Sequence, residues 1–375
     1  MDRISIKLFQ IIRASLNVGT SDLTLTFDEC EMLLKICEKQ SILPIFYVGL
    51  KKLKVPNEIL KLADQARSRD IRRSVLFNDA LINIYKTLDN ACIDYIPLKG
   101  AMIRNLYPEP EMRTCADIDV LVREEMLDEA VKVIETNTDF KTRKRNYHDV
   151  SMVNSNVHLE LHFSIKENMD NIDIMLQYVW DYAIPDEQFR YVLTPEFQIF
   201  HIIAHMSYHM VNGGLGIRPF LDLWLLRNKT NYDEKLVRSM CLRCNILTFY
   251  EKCSELVDLW MSGSMVNGNL KALETYALNG GVFGNRTNAI ATKQRNQHKI
   301  SYIFQRIFLK REYLVIEFPE LKEKPYLIAF YQIKRWARLL DSNKRNKVES
   351  ELHSLISLNQ QTITSFDDLL TNLGL

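Results

Sequence analysis

The sequence predicts an α+β protein in which a small mixed β-sheet core, residues 91–165, stands between an N-terminal helical part, residues 1–90, and a C-terminal helical domain, residues 166–375. Three observations predict it. Apolar residues recur at helical spacing through the first ninety residues, the period shortens towards two over short β-rich runs in the next stretch, and helical spacing then returns to the end of the chain.

The N-terminal part has recognisable helix punctuation. Thr26-Phe27-Asp28-Glu29 reads as a capping box, with the Thr26 hydroxyl accepting a backbone N–H and Glu29 reaching back, and it opens an amphipathic run through Leu33, Leu34, Ile36 and Cys37. Pro44 and Pro56 interrupt the pattern, and a long helix follows to about residue 90. Its arginine group, Arg67, Arg69, Arg72 and Arg73, reads either as a solvated face or as a phosphate-facing one.

In the core, residues 93–98 are short and β-rich, residues 100–106 return to helical spacing, and a loop with Pro108 and Pro110 leads to an acidic strand at 117–122. A helix over 126–136 and two strands at 147–153 and 157–164 follow. The two strands are separated by Asn154-Ser155-Asn156, which is hairpin-turn chemistry. Beyond 166 the clearest helix is 195–211, capped by Thr194 with Pro195 at its first position. It stops at Asn212-Gly213-Gly214, and another helix starts near Arg218. Gly280, Gly281 and Gly284 mark a loop before the basic segment 286–299.

Composition narrows the partners. Across 375 residues, 48 Lys and Arg oppose 47 Asp and Glu, so no general field attracts nucleic acid or an anionic membrane. No stretch approaches the ~18 uninterrupted apolar residues of a membrane span. Seven scattered cysteines suit a reducing compartment, so a cytoplasmic protein with no membrane partner is expected. Cys241-Leu242-Arg243-Cys244 has no second pair at zinc spacing and reads as two packed thiols.

The chemistry concentrates on Ala116-Asp117-Ile118-Asp119-Val120-Leu121-Val122. On a strand, period two puts Asp117 and Asp119 on one face, and neighbouring carboxylates repel unless water, a proton or a divalent cation resolves them. Before this stretch lies Leu98-Lys99-Gly100-Ala101, a strand running into a glycine and a helix, an arrangement whose backbone N–H groups can hold phosphate. After it, Val157-His158-Leu159-Glu160-Leu161-His162-Phe163 puts His158, Glu160 and His162 on one strand face. His201, His205 and His209 share one face of the predicted 195–211 helix.

Leu98-Lys99-Gly100, Tyr107, Arg113, Asp117-Ile118-Asp119-Val120-Leu121-Val122, His158-Leu159-Glu160-Leu161-His162 and residues 201–218 resemble a bacterial nucleotidyltransferase family of the DNA polymerase β-like superfamily. That family is marked by a Lys-Gly followed by Arg-x3-Asp-x-Asp. The resemblance implies transfer of a nucleoside monophosphate from a nucleoside triphosphate such as ATP to an acceptor it does not identify; a small molecule, a protein side chain and an RNA end are all open, and the near-zero net charge favours the first two over nucleic acid. Asp117, Asp119 and Glu160 would be the catalytic and metal-holding set for Mg²⁺ or Mn²⁺. Lys99, Gly100, Arg113, His158, His162, His205, His209 and Arg218 would contact nucleotide or acceptor, with Asp222 as a structural partner of Arg218. The superfamily usually has Gly-Ser or Gly-Gly where this chain has Gly100-Ala101, so a phosphate-touching hydroxyl is missing and Lys99 would supply charge instead. Arg113 either orients Asp117 or Asp119 through a salt bridge or contacts a phosphate.

Two other readings follow from the same residues. A catalytically silent nucleotidyltransferase-like binding module fits the missing hydroxyl, and a His158/Glu160/His162 metal hydrolase fits imidazole and carboxylate on one strand face but leaves Asp117 and Asp119 unused.

Overall fold

The computed structural model describes residues 3–19, 22–212, 214–266, 268, 270–280, 308, 311, 314–315, 318–337 and 360–375. The expected loop glycines Gly213, Gly281 and Gly284 and the basic segment 286–299 lie outside the described residues. Two compact units emerge. One comprises residues 1–208, 215–282 and 373–375, and the other residues 209–214 and 283–372.

The first unit opens with helices α1 (Arg3–Ser15), α2 (Phe27–Gln40), α3 (Leu43–Lys52) and α4 (Asn57–Asn90). The capping box forms as expected: Glu29 N–H donates to Thr26 Oγ1 at 3.2 Å, and Thr26 N–H donates to Glu29 Oε2 at 3.0 Å. Helices α1 and α3 approach so closely at Gly49 that a Cβ there would lie 2.2 Å from the Ile11 carbonyl oxygen. Two arginines of the α4 group are tied to acids and a ring: Arg67 pairs with Asp64 and lies over the Tyr47 ring, and Arg69 pairs with Glu38.

The sheet follows. Strands β1 (Tyr95–Pro97), β2 (Asp117–Val122), β3 (Lys141–Arg145), β4 (Asp149–Val153), β5 (His158–His162), β6 (Ala183–Glu187) and β7 (Arg190–Leu193) form one mixed sheet in the order β3-β4-β5-β2-β1-β7-β6. Helix α5 (Gly100–Ile103) follows β1, and α6 (Leu127–Asn137) follows β2. The α+β class and the central strands agree with the sequence, but the sheet is larger than expected. The β6–β7 hairpin continues it past residue 165, joining β1 in parallel at Tyr95 and Arg190. Strand β3 reads Lys-Thr-Arg-Lys-Arg and is exposed throughout, so it lacks the alternation that would reveal it. The β4–β5 turn is as expected, with Asn154 Oδ1 accepting from the backbone of Asn156 and Val157.

The sheet is two-faced, and that is what positions the site. Ile118, Val120 and Val122 of β2 and Leu159 and Leu161 of β5 pack with Phe77, Leu81, Ile84 and Leu88 of α4 and Ala130, Val131 and Ile134 of α6. Because side chains alternate, the residues between them, Asp117, Asp119, His158, Glu160 and His162, all emerge on the opposite face.

The unit continues with α7 (Asp170–Leu176), α8 (Pro195–Val211), α9 (Ile217–Lys229), α10 (Glu234–Arg243), α11 (Leu247–Ser262) and α12 (Leu270–Gly280), of which the last three residues of α8 belong to the second unit. Thr194 Oγ1 accepts from Phe197 N–H at the start of α8. Cys241 and Cys244 are buried free thiols, pushed up by burial. In the second unit, α13 (Ile328–Ala337) and α14 (Gln360–Asn372) are described, with Leu314, Phe318, Leu321 and Tyr331 forming a small cluster. Among the described residues no helix is long and apolar enough to cross a membrane.

Leu159 is fully buried on the apolar face. Leu159→Ala is expected to destabilise the protein by about 2–5 kcal/mol, read by urea unfolding, while leaving the carboxylates of the other face in place.

Candidate active site

The parallel register of β2 and β5 builds the centre: Asp117 lies beside His158, Asp119 beside Glu160 and Leu121 beside His162. Two groups result whose ligand atoms all lie within 4.8 Å of one another, Asp117/His158/Glu160 and Asp119/Glu160/His162, with Glu160 common to both. The histidines of β5 therefore do not make a separate His–Glu centre; each is paired with one of the β2 acids.

Neighbours hold these side chains in place. His162 Nε2 is 3.0 Å from Asp119 Oδ1 and 3.5 Å from Glu160 Oε2. His158 is fixed on its other side by Ser151 of β4, with Nε2 and Oγ 2.7 Å apart. Behind His162 its ring stacks on His148 with centroids 5.7 Å apart, and His148 Nε2 meets the buried carboxylate of Asp149 at 3.0 Å. Both rings leave a buried Nδ1 without a protein partner, the mark of an interior shaped for polar contents.

Lys99 enters from the other side of β2. Strand β1 pairs antiparallel with β2, and Leu98 N–H donates to the Asp119 carbonyl at 3.0 Å. The next residue, Lys99, adopts φ 41° and ψ −109°. Such a conformation costs a non-glycine residue about 1–3 kcal/mol and persists where surroundings enforce it. It leaves Lys99 Nζ 3.7 Å from Asp119 Oδ1. A cavity of about 10 Å³, room for one water, lies beside Lys99 and is lined also by Pro97, Met102, Gln198 and His201.

The charges respond to this crowding. Burial, then the charges of Asp119 and Glu160, push Asp117 up to about 6. Burial would also raise Asp119, but Lys99 and the His162 hydrogen bond outweigh it and hold its carboxyl well below the usual range. The His162 hydrogen bond likewise lowers Glu160. Burial opposes a charge on His162, yet its bonds to Asp119 and Glu160 lift it to about 9, so at neutral pH it is an imidazolium donating to carboxylates. The donor set suits a hard divalent cation: clustered carboxylate oxygens, with the ionisation of Asp117 resisted by burial and by the charges of Asp119 and Glu160.

Arg113 is a correction to the expectation. It pairs with neither Asp117 nor Asp119 but with Asp222 of α9, Nη2 to Oδ2 at 2.8 Å and Nε to Oδ1 at 3.0 Å, and Tyr107 donates to the same carboxylate at 2.8 Å. All three are buried. Asp222 thus serves Arg113 rather than Arg218, whose Nη1 donates to the Thr114 carbonyl at 3.0 Å. Gly100 also finds a packing reason. A Cβ there would lie 2.6 Å from Arg113 Nη1 and 2.7 Å from Cys115 Sγ, and Arg113 cannot yield because Asp222 holds it. Helix α5 is only four residues long, and Ala101 N–H already donates to Leu98, which weakens the backbone phosphate cradle expected there.

Of the α8 histidines, His201 is buried and driven down to about 3 by that burial, so it stays neutral. His205 meets Glu167, Nδ1 to Oε1 at 2.6 Å. His209 belongs to the second unit, where its carbonyl accepts from Gly214 N–H. Among the described residues, none of the three is in a group able to hold a cation. Sequence reasoning missed Glu167, His148, Asp149 and Ser151. Ser151 was within reach, since the turn at 154–156 puts it across from Glu160 and near His158; Glu167 stands in a loop with no periodic signal.

A strand–turn–helix leading to Asp-x-Asp on the next strand of a mixed sheet, with a third carboxylate on the parallel strand beside it, defines a nucleotidyltransferase-like core. The chain belongs to the family described as an uncharacterised nucleotidyltransferase, whose model matches residues 28–262. No curated protein matches the chain.

Two outcomes are expected. Asp222→Asn leaves Arg113 charged and buried without its partner, so it is expected to cost about 3–5 kcal/mol, whereas the double variant Arg113→Met/Asp222→Leu recovers much of that loss in denaturant titration. Asp117 titrates higher folded than in an unfolded chain, so its charge weakens the cation-free protein increasingly as pH rises from about 4 to about 6, fully above that. Asp117→Asn is therefore expected to raise the melting temperature in EDTA at about pH 7.5, to gain little near about pH 4.5, and to lose any stabilisation by Mn²⁺.

Proposed function

We propose that the chain is a divalent-cation-dependent nucleotidyltransferase that moves a nucleoside monophosphate from a nucleoside triphosphate, ATP among the candidates, to a hydroxyl of a small-molecule or protein acceptor. The observation that carries this reading is the in-register pairing of β2 with β5, which puts Asp117 and Asp119 each within ligand distance of Glu160 on one sheet face.

Asp117, Asp119 and Glu160 would hold Mg²⁺ or Mn²⁺, which when bound neutralises charge on triphosphate and leaving-group oxygens. The chain's own residues supply the rest. Lys99, pinned by its backbone and close to Asp119, offers a point charge to a phosphate in place of the absent hydroxyl. His162 orients the carboxylates of Asp119 and Glu160, and His158, anchored by Ser151, does the same beside Asp117. Arg113 acts through Asp222 and Tyr107, tying the loop before β2 to α9. Gly100 admits Arg113, and Arg218 holds the Thr114 carbonyl, so both act by keeping the loop before β2 in place. Nucleotide or acceptor contact by His205 completes the proposed set.

With Mn²⁺ present, the purified chain is expected to bind a fluorescent ATP analogue and to transfer label from α-labelled nucleoside triphosphates in an acceptor screen. Asp119→Asn is expected to lower transfer by about a hundredfold or more. Nucleotide binding with no transfer to any acceptor by the wild type would sink the reading in favour of a silent binding module, and equal transfer by both proteins would sink the role given to Asp119.

A further inference from the structure

We infer that the ring of Tyr147 is the stacking platform for the base of the nucleoside triphosphate; this rests on the nucleotidyltransferase reading. Tyr147 stands in the turn between β3 and β4 and is 57% exposed. Single exposed apolar side chains need no explanation, but this one is held from several sides. Its hydroxyl accepts from Asn168 Nδ2, and its ring meets His148 in a T-shaped contact with centroids 4.4 Å apart. Asn146 closes the turn, its backbone N–H donating to the Asp149 carbonyl at 2.8 Å and its side-chain amide to the Asp149 carboxylate at 3.0 Å. Phe163 N–H, just past β5, donates to the His148 carbonyl at 3.0 Å and ties the turn to that strand. A T-shaped contact occupies an edge or one face of the phenol, so another face stays open to solvent, as the exposure of the residue requires. A ring already fixed in place loses little conformational entropy when a second ring lies on it.

Three short steps connect this ring to the carboxylate centre. The Tyr147 centroid is 4.4 Å from that of His148, the His148 centroid is 5.7 Å from that of His162, and His162 Nε2 is 3.0 Å from Asp119 Oδ1. An extended nucleoside triphosphate covers a span of this order between its base and its phosphates. Phosphates drawn to Asp117, Asp119 and Glu160 therefore leave the base within reach of Tyr147. The two histidines do not compete for it: His162 is buried, and His148 lies between His162 and Tyr147, so the tyrosine is the ring of the three with a face to offer. Every base has a π-face, and stacking takes no account of the hydrogen-bonding pattern on its edge. The platform thus accepts any base and holds the larger purines better than pyrimidines.

The test compares Mg–ATP with Mg–tripolyphosphate, which carries the phosphates without sugar or base, by calorimetric titration of the full chain. Tyr147→Ala is expected to weaken Mg–ATP by about tenfold and to leave Mg–tripolyphosphate unchanged. The loss is expected to be larger for ATP than for UTP. Tyr147→Trp is expected to restore the affinity for Mg–ATP, which a purely structural phenol would not allow, since tryptophan has no hydroxyl for Asn168 to hold. In the wild type, which needs no variant to fold, Mg–ATP is expected to move the Tyr147 ring protons upfield through the ring current of the stacked base, and Mg–tripolyphosphate is not. An unchanged Mg–ATP affinity in Tyr147→Ala, an equal loss for Mg–ATP and Mg–tripolyphosphate, or ring protons that respond alike to both overturns the platform alone. A wild type that binds neither Mg–ATP nor Mg–tripolyphosphate overturns the parent reading and the platform with it.

Discussion

Repulsion among three carboxylates on one sheet face is the constraint to which the surrounding structure answers. Asp117, Asp119 and Glu160 are brought together by strand pairing, and like charges at such distances cannot all ionise without compensation. The compensation is layered. Lys99 and the imidazolium of His162 lean on Asp119 and Glu160, and their presence leaves Asp117 as the group whose ionisation is most resisted. The cluster is thus partly neutralised by fixed side chains and retains an appetite for positive charge on the Asp117 side.

Behind this face, packing does the opposite work. The apolar side chains of β2 and β5 lock onto α4 and α6, so the acids cannot escape their mutual proximity by twisting the sheet. Around the edge, Arg113, Asp222 and Tyr107 form a buried knot that spans more than a hundred residues of sequence, and Gly100 is what lets that knot close. A buried ion pair gives little net stability, but it selects one arrangement among many and so fixes where the loop before β2 runs.

Local patterns were legible in the sequence, and long-range partners were not. The capping box at Thr26 and Glu29, the turn at Asn154, the start of α8 at Pro195 and the face shared by Asp117 and Asp119 all follow from spacings within a few residues. The family resemblance rested on the same short motifs, and the family match bears it out. Arg113 and Asp222 are 109 positions apart, and nothing in either neighbourhood distinguishes Asp222 as a partner for Arg113 rather than for Arg218, four residues away on its own helix. Strand β3 failed for a different reason: an edge strand with no buried side chain has no hydrophobic period to read. Glu167 illustrates a third limit, because its meaning depends on which helix comes to lie over its loop.

The parallel pairing of β2 with β5 also bears on how the chain comes to fold. Strands β4 and β5 are neighbours joined by a short turn and can zip together early, but β2 and β5 are separated by a helix and two further strands, and their alignment must wait for that whole excursion to be organised. The Asp119–Glu160 proximity therefore forms only once β2 has paired with β5, a non-local step that carries the entropic cost of closing the chain between them. Any ligand that requires both residues reads out that strand pairing, and its presence during refolding would favour chains in which β2 and β5 are in register.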